Sequence, residues 1–223
     1  MKLTLFNGFV LRQADLQVRV PLNCQRLIAL ITLRTSLTRE QASGTLWPDI
    51  PAGRACARLR TALWRLRGTG RDILRSDKGQ LSLDEGIEVD LRDWLAVALQ
   101  VIDRPECVVT VGWAALRPCG DLLPGWYDDW VLLERERVRQ LQLHVLETAA
   151  DQFLRAGRYA AALELALGAM HMEPTRESAH RLVVRIHLAE GNRGEARRQF
   201  DRCHDLLIRE LGVRPSEELR ALL

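Results

Sequence analysis

Apolar and polar residues change rhythm several times along the chain, and each change marks an element. Residues 2–20 alternate with a period of two, Leu3 and Leu5 in one run and Leu16, Val18 and Val20 in another, with polar Gln13-Ala14-Asp15 between them. Such alternation predicts strands with one buried face, here a small antiparallel sheet that opens the protein. From Asn23 to about Arg34 the apolar positions, Leu27, Ile28 and Ile31 among them, follow helical spacing. The tetrapeptide TREQ, Thr38 to Gln41, has the form of a capping box, and a short helix follows to Leu46 before Pro48 stops it. A third helix is predicted from Ala52 to Arg67, closed by Gly68 and Gly70. Beyond it, Ile73-Leu74-Arg75 and Gln80-Leu81-Ser82-Leu83 flank the polar turn Ser76-Asp77-Lys78-Gly79, a hairpin pattern.

Strands, three helices and a hairpin in this order predict an α+β winged helix of the OmpR/PhoB type over residues 1–88, with the third helix in the place of a recognition helix. After residue 88 the pattern is helical almost throughout, so residues 89–223 form a second, all-α domain. Leu91, Trp94, Leu95 and Leu99 give one stripe, and Cys107 to Leu116 another predicted helix. The run GDLLPGWYDDW, Gly120 to Trp130, leads into a long helix carrying Leu133, Arg137, Leu141, Leu146 and Ala149 at helical spacing. Leu154-Arg155-Ala156-Gly157 then recurs as Leu188-Ala189-Glu190-Gly191, and Ala162 recurs as Ala196. The offset of about 34 residues is the tetratricopeptide period, so the second domain reads as a TPR-like array that buries its core between stacked helix pairs. Pro174 and Pro215 mark the ends of the two repeats, with the last helix of the second about two turns longer.

Charge changes this picture in one place. Residues 1–100 carry 15 Lys+Arg against 10 Asp+Glu, and residues 101–223 carry 17 against 19. The basic excess sits in the third helix and just after it: Arg54, Arg58, Arg60, Arg65, Arg67, Arg71 and Arg75 face only Asp72. This is the footprint of a surface for a polyanion. At about 100° per residue, Ala55, Leu59, Ala62, Leu63 and Leu66 share the core face. Arg54, Ala57, Arg58, Thr61, Trp64 and Arg65 lie opposite, with Arg60 and Arg67 on one flank. A major groove admits one helix, Arg can bond guanine bidentately and a Thr methyl can pack on thymine. The groove-facing candidates are therefore Arg54, Arg58, Thr61, Trp64 and Arg65; Trp64 suits either stacking on a sugar or packing against the second domain. Thr38, Arg60, Arg67, Arg71, Arg75 and Lys78 are the candidates for phosphates, which fix register without reading sequence.

The sequence offers little for catalysis. It holds no phosphate-binding GxxxxGK[ST] loop, GxGxxG turn, HExxH or GxSxG. His180 and His187 share a helix face without a third ligand at convincing spacing, and Cys203 and His204 point different ways on a helix; packing or surface roles are expected. Five cysteines without CxxC spacing argue against a disulfide framework or a zinc cluster and fit reduced thiols in a cytosol. Glu134, Arg135, Glu136 and Arg137 alternate in sign as on a solvated helix. Asp128 and Asp129 read as the start of the long helix. Trp126, Tyr127 and Trp130 read as its anchor, with an aromatic binding site as the alternative. No catalytic residue, metal site or cofactor is expected, and neither a signal peptide nor a membrane span is legible.

The residues carry a resemblance. LRTALWRLR (Leu59–Arg67), GDLLPGWYDDWVLLERERVRQLQLHVLE (Gly120–Glu147), the run from Ala156 to Asn192 and the closing ELGVRPSEELRALL are similar to the actinobacterial antibiotic-regulatory-protein (SARP) family. Its members join an N-terminal winged helix to a bacterial transcriptional activator domain. The resemblance implies a cytoplasmic regulator that binds double-stranded DNA at promoter direct repeats, pairs there as a homodimer and contacts RNA polymerase. By position it carries over Arg54, Arg58, Thr61, Trp64 and Arg65 as the groove-facing set and Lys78 as the wing tip. Trp64 stands where many members have a small polar residue, and Gly79-Gln80 where a Gly-Tyr pair is common. The nucleotide-binding module of larger members is not in this sequence, so control by ATP is not expected. The alternative function is a protein-interaction module with a degenerate winged helix, binding a partner regulator through the helical array.

Overall fold

The computed structural model describes residues 1–117 and 119–223. The chain packs as two compact units, one of Met1–Trp94 with Cys119–Val138 and one of Leu95–Pro118 with Arg139–Leu223. In this packing the GDLLPGWYDDW run lies in the same unit as the N-terminal strands.

The first unit is mixed α+β. Strand β1 (Lys2–Thr4) lies between β2 (Val10–Gln13), antiparallel to it, and β7 (Glu88–Val89), parallel to it; β3 (Leu16–Gln17) extends β2 at the edge. The predicted second run is therefore shorter than its alternation suggests: Leu16 is exposed, while Val18 and Val20 are buried beyond the strand. Helices α1 (Leu22–Arg34), α2 (Arg39–Leu46) and α3 (Ala52–Arg67) follow, with β4 (Ser36–Thr38) between the first two. Strand β4 pairs with β6 (Gln80–Leu83), which forms a hairpin with β5 (Leu74–Asp77). Lys78 and Gly79 make the two-residue turn, both with positive φ (46° and 82°), the mirror-image turn that matches strand twist and favours Gly at its second position. The core holds Leu3, Leu5, Leu11, Leu27, Ile28, Leu30, Ile31, Leu46, Leu59, Ile73 and Leu81, each no more than 2% exposed.

Three polar devices join distant parts of this unit. The Asp90 carboxylate accepts hydrogen bonds from the backbone N–H groups of Leu5, Phe6 and Leu91 at 2.7–3.1 Å; burial raises its pKa against the lowering effect of those bonds. Asn7 donates through its backbone N–H to the Asp121 carbonyl (2.8 Å) and through Nδ2 to the Cys119 carbonyl (3.0 Å). Arg135 donates to the Leu122 carbonyl at 2.7 Å and the Trp126 carbonyl at 2.9 Å, and also to that of Leu123. The alternating Glu134–Arg137 run is thus not solvated throughout. Glu134 is buried and paired with Arg137 at 2.8 Å, and Arg135 is consumed by turn carbonyls that need donors. Trp126 stacks on Phe9 at 6.2 Å and meets Trp130 edge-on at 6.4 Å, the anchoring arrangement.

The second unit is helical, and two of the helices described next, those starting at Asp90 and Asp129, begin among residues of the first. Helix α4 (Asp90–Asp103) buries Leu91, Trp94, Ala98 and Val101, whereas Leu99 of the expected stripe is 55% exposed. The single helix expected over Cys107–Leu116 is broken into a 3₁₀ turn at Pro105–Cys107, the short α5 (Val108–Val111) and a 3₁₀ turn at Trp113–Leu116. Gly112 has φ +84°, which no helix can continue through. Helices α6 (Asp129–Arg155), α7 (Tyr159–Met172), α8 (Glu177–Ala189), α9 (Arg193–Leu211) and α10 (Glu217–Arg220) form the array. The repeat positions match in detail. Gly157 and Gly191 both have positive φ (70° and 80°), each donates to the carbonyl three residues back at 3.0 Å, and Ala162 and Ala196 are both fully buried. Helix α9 has 19 residues against 14 in α7, about one and a half turns more rather than two. Arg176 clamps Glu147 through Nε (2.7 Å) and a terminal nitrogen (2.8 Å), and His180 is 3% exposed between the Pro174 carbonyl (2.8 Å) and the Gln199 amide nitrogen (2.7 Å).

Two outcomes follow from this packing. A Cβ at Gly120, where φ is +90°, would lie 2.1 Å from Asn7 Oδ1. Gly120→Ala is expected to lower unfolding free energy by about 3 kcal/mol, from overpacking plus left-handed strain. Gly44→Ala in α2, with open space around the new Cβ, should be neutral or stabilising by up to about 1 kcal/mol; urea denaturation of both variants checks the contrast. His180 acts as a neutral ring donating from Nε2 and accepting at Nδ1, and burial depresses its pKa below the usual value of 6.5. Its contribution is therefore complete above pH 6.5 and is lost as pH falls toward the depressed folded-state pKa. Urea midpoints at pH 7.5 and 5.5 should differ more in the native protein than in His180→Gln.

Candidate nucleic-acid interface

The rotation of α3 is set by what it buries. Ala55, Leu59, Ala62 and Leu66 are no more than 3% exposed and pack inward, while Leu63, expected with them, is half-buried at the edge. Pro51 precedes the helix, and Gly68 lies at its C-terminal end. With that face fixed, Arg54, Arg58, Thr61, Trp64 and Arg65 are all exposed, and so are Arg60 and Arg67. Among the described residues none of these five arginines forms an ion pair, in contrast to Arg139, Arg176 and Arg185 of the helical array. Trp64 is 73% exposed, and the Thr61 hydroxyl donates to the Ala57 carbonyl at 3.0 Å.

The remaining phosphate candidates divide into two groups. Lys78 is exposed at the tip of the β5–β6 hairpin. Thr38 is half-buried and occupied as the cap of α2: its Oγ1 accepts from the Gln41 N–H (3.2 Å), and its own N–H donates to Gln41 Oε1 (2.9 Å). Arg71 donates to Gln13 Oε1 (2.6 Å) and to the Thr69 carbonyl (3.0 Å). Arg75 bonds Asp84 at 2.7 Å and lies 3.2 Å from Glu85. The Gly86 N–H, and after it Arg75, hold the Asp84 carboxyl below its usual range, while Asp84 raises the guanidinium of Arg75. Arg71 and Arg75 thus have partners within the protein.

One cation was not read from the sequence. Arg39, the first residue of α2, is exposed and shares with Arg67, Arg71 and Arg75 a groove of about 800 Å³ between the end of α3 and the hairpin. Its guanidinium lies 3.4 Å from Ser76 Oγ. The available signal was its place directly after the capping threonine, which sets it on the first turn of a helix packed beside α3. A smaller groove of about 290 Å³ runs between Asn23-Cys24 and Ala57, Arg58, Thr61, Ala62 and Arg65. Its wall includes the Cys24 thiol, which donates to the Ala62 carbonyl at 3.5 Å and is pushed up by burial.

The other candidates are structural. Cys203 is buried, its thiol raised to about 11 by desolvation, which leaves it protonated and inert as a nucleophile. Asp128 pairs with Arg26, which also donates to the Leu46 carbonyl at 3.0 Å and so caps the end of α2. His187 Nδ1 lies 3.7 Å from Glu190. Among the described residues no helix is long and apolar enough to cross a membrane.

Residues 116–223 match the bacterial transcriptional activator domain. Regulatory protein AfsR of Streptomyces griseus is 29% identical over 211 residues, which make up 88% of this chain and 21% of AfsR. The structure of Mycobacterium tuberculosis EmbR in complex with a low-affinity phosphopeptide has the same fold, with a TM-score of 0.76 at 16% identity over 99% of this chain and 63% of that one. The chain therefore spans about a fifth of AfsR and less than two thirds of the EmbR chain. The C-terminal half of this chain thus matches a bacterial transcriptional activator domain, and most of its length is similar to a Streptomyces regulatory protein, a combination that resembles the antibiotic-regulatory-protein family of transcriptional regulators.

Proposed function

We propose that the chain is a sequence-specific DNA-binding regulator, in which residues 1–88 act as a winged helix and residues 89–223 as a TPR-like activator domain. Helix α3 enters the major groove, and Arg54, Arg58, Thr61, Trp64 and Arg65 meet base edges. Arg60, Arg67, Lys78 and the newly found Arg39 hold phosphates; Thr38 contributes as the cap of α2, and Arg71 and Arg75 contribute less because each already has partners. The regulator acts in the cytoplasm, binds promoter direct repeats as a homodimer and recruits RNA polymerase through its helical half. The observation that carries this reading is a helix with five exposed arginines, none of which forms an ion pair among the described residues. A cationic row left unpaired inside the protein gains most from an external polyanion, whose condensed counterions it releases.

Fluorescence anisotropy with duplexes taken from upstream of its own and neighbouring genes, and with scrambled controls, tests the reading. One native fragment should be preferred, with log Kobs against log salt falling at a slope of roughly −5 for six neutralised phosphates. Arg58→Ala and Arg65→Ala should abolish that preference while leaving stability within about 0.5 kcal/mol, as expected of exposed side chains. Arg75→Ala should change the slope by well under one unit. Equal, negligible binding to all fragments would favour a protein-interaction module instead.

A further inference from the structure

The face that α3 turns to solvent is not uniformly cationic. Opposite its buried residues, at about 100° per residue, the outermost positions are Ala57, Thr61 and Trp64, spaced i, i+4 and i+7 and all exposed. Arg54, Arg58 and Arg65 border this strip on one side, Arg60 and Arg67 on the other. The strip is mostly carbon, with the Trp64 indole N–H as its one uncommitted side-chain donor. Ala57 presents a methyl group. The Thr61 hydroxyl proton is committed to the Ala57 carbonyl at 3.0 Å, which leaves its methyl as the group free to make outward contact. Trp64, 73% exposed, presents the largest apolar surface on the helix.

We infer that Ala57, Thr61 and Trp64 form an apolar reading strip for the 5-methyl groups of thymine, with the arginine rows seated on either side of it. The inference rests on the DNA-binding reading and sharpens it. Of the groups that base pairs expose in the major groove, the thymine methyl is the apolar one; the others donate or accept hydrogen bonds. A strip that is mostly carbon, with its threonine proton already committed, gains most where it buries a methyl. Arg54, Arg58 and Arg65 then reach guanine edges that flank the thymines, so the preferred site combines guanines with a thymine step beneath the centre of α3.

The purified chain is enriched against randomised duplex DNA to obtain its best site, and each thymine of that site is replaced in turn by 2′-deoxyuridine, which differs only by the missing methyl. Binding should weaken about fourfold for each methyl that meets the strip, the value of one buried methylene at about 0.8 kcal/mol. Thr61→Ser keeps the hydroxyl bond and loses the methyl; it should bind thymine and uracil duplexes equally at one such position, and Trp64→Ala at another. Both side chains are exposed, so thermal melts of the two variants should overlay the native curve. Unchanged affinity for every uracil duplex, with selective and salt-dependent binding otherwise intact, overturns the strip and leaves the regulator reading standing. Failure to enrich any sequence overturns both.

Discussion

Burial of Ala55, Leu59, Ala62 and Leu66 is the constraint on which the candidate surface depends. A helix has one rotational setting that hides these four side chains together, and each fully buried leucine favours it by about 1.5–3 kcal/mol. Turning α3 by one residue, about 100°, would expose that stripe and bring arginines toward the core, where an unpaired charge is far more costly than a lost methyl contact. The arginines are therefore presented outward by an apolar core that contacts none of their charges. The same setting makes Ala57, Thr61 and Trp64 the crest of the helix.

Around that core, charged and polar side chains are spent on backbone groups that turns leave unpaired. Asp90 holds the N–H groups at the end of β1, Arg26 the last carbonyl of α2, Arg135 the carbonyls of the turn before α6, and Asn7 the carbonyls beside Gly120. These are the residues for which charge was a poor guide to exposure. Arg135 lies in an alternating-sign run yet never faces water freely, and Arg75 lies in the basic cluster yet pairs with Asp84. The arginines of α3 differ because a straight helix closes its own backbone bonds and leaves its outward side chains nothing to cap.

The helical array is built on repetition instead. The same glycine conformation, the same backbone bond and the same buried alanine recur one repeat apart, because two helices can approach closely only where both the turn and the contact residue are small. Some of its ion pairs tie one element to another, Arg185 of α8 to Asp151 of α6 and Arg176, just before α8, to Glu147 of α6, while others such as Arg197 with Asp201 stay within one helix.

The elements with strong periodicity were legible in the sequence: the three helices with their capping box, the hairpin, the 34-residue repeat and the exposed face of α3 all follow from local rules of spacing and turn chemistry. Short or irregular parts were not. The two-residue strand β7, the break at Gly112 and the exposure of Leu99 depend on partners distant in sequence. So does the attachment of GDLLPGWYDDW to the first unit, which rests on Asn7, Leu5 and Phe9, more than a hundred residues upstream. Tertiary structure also decided which cations are committed: Arg71 bonds Gln13 on β2 and Arg75 pairs with Asp84 across the hairpin, while among the described residues Arg54, Arg58, Arg60, Arg65 and Arg67 form no ion pair. Composition can place charge on a surface, but only the positions of neighbouring acceptors determine whether that charge is already neutralised.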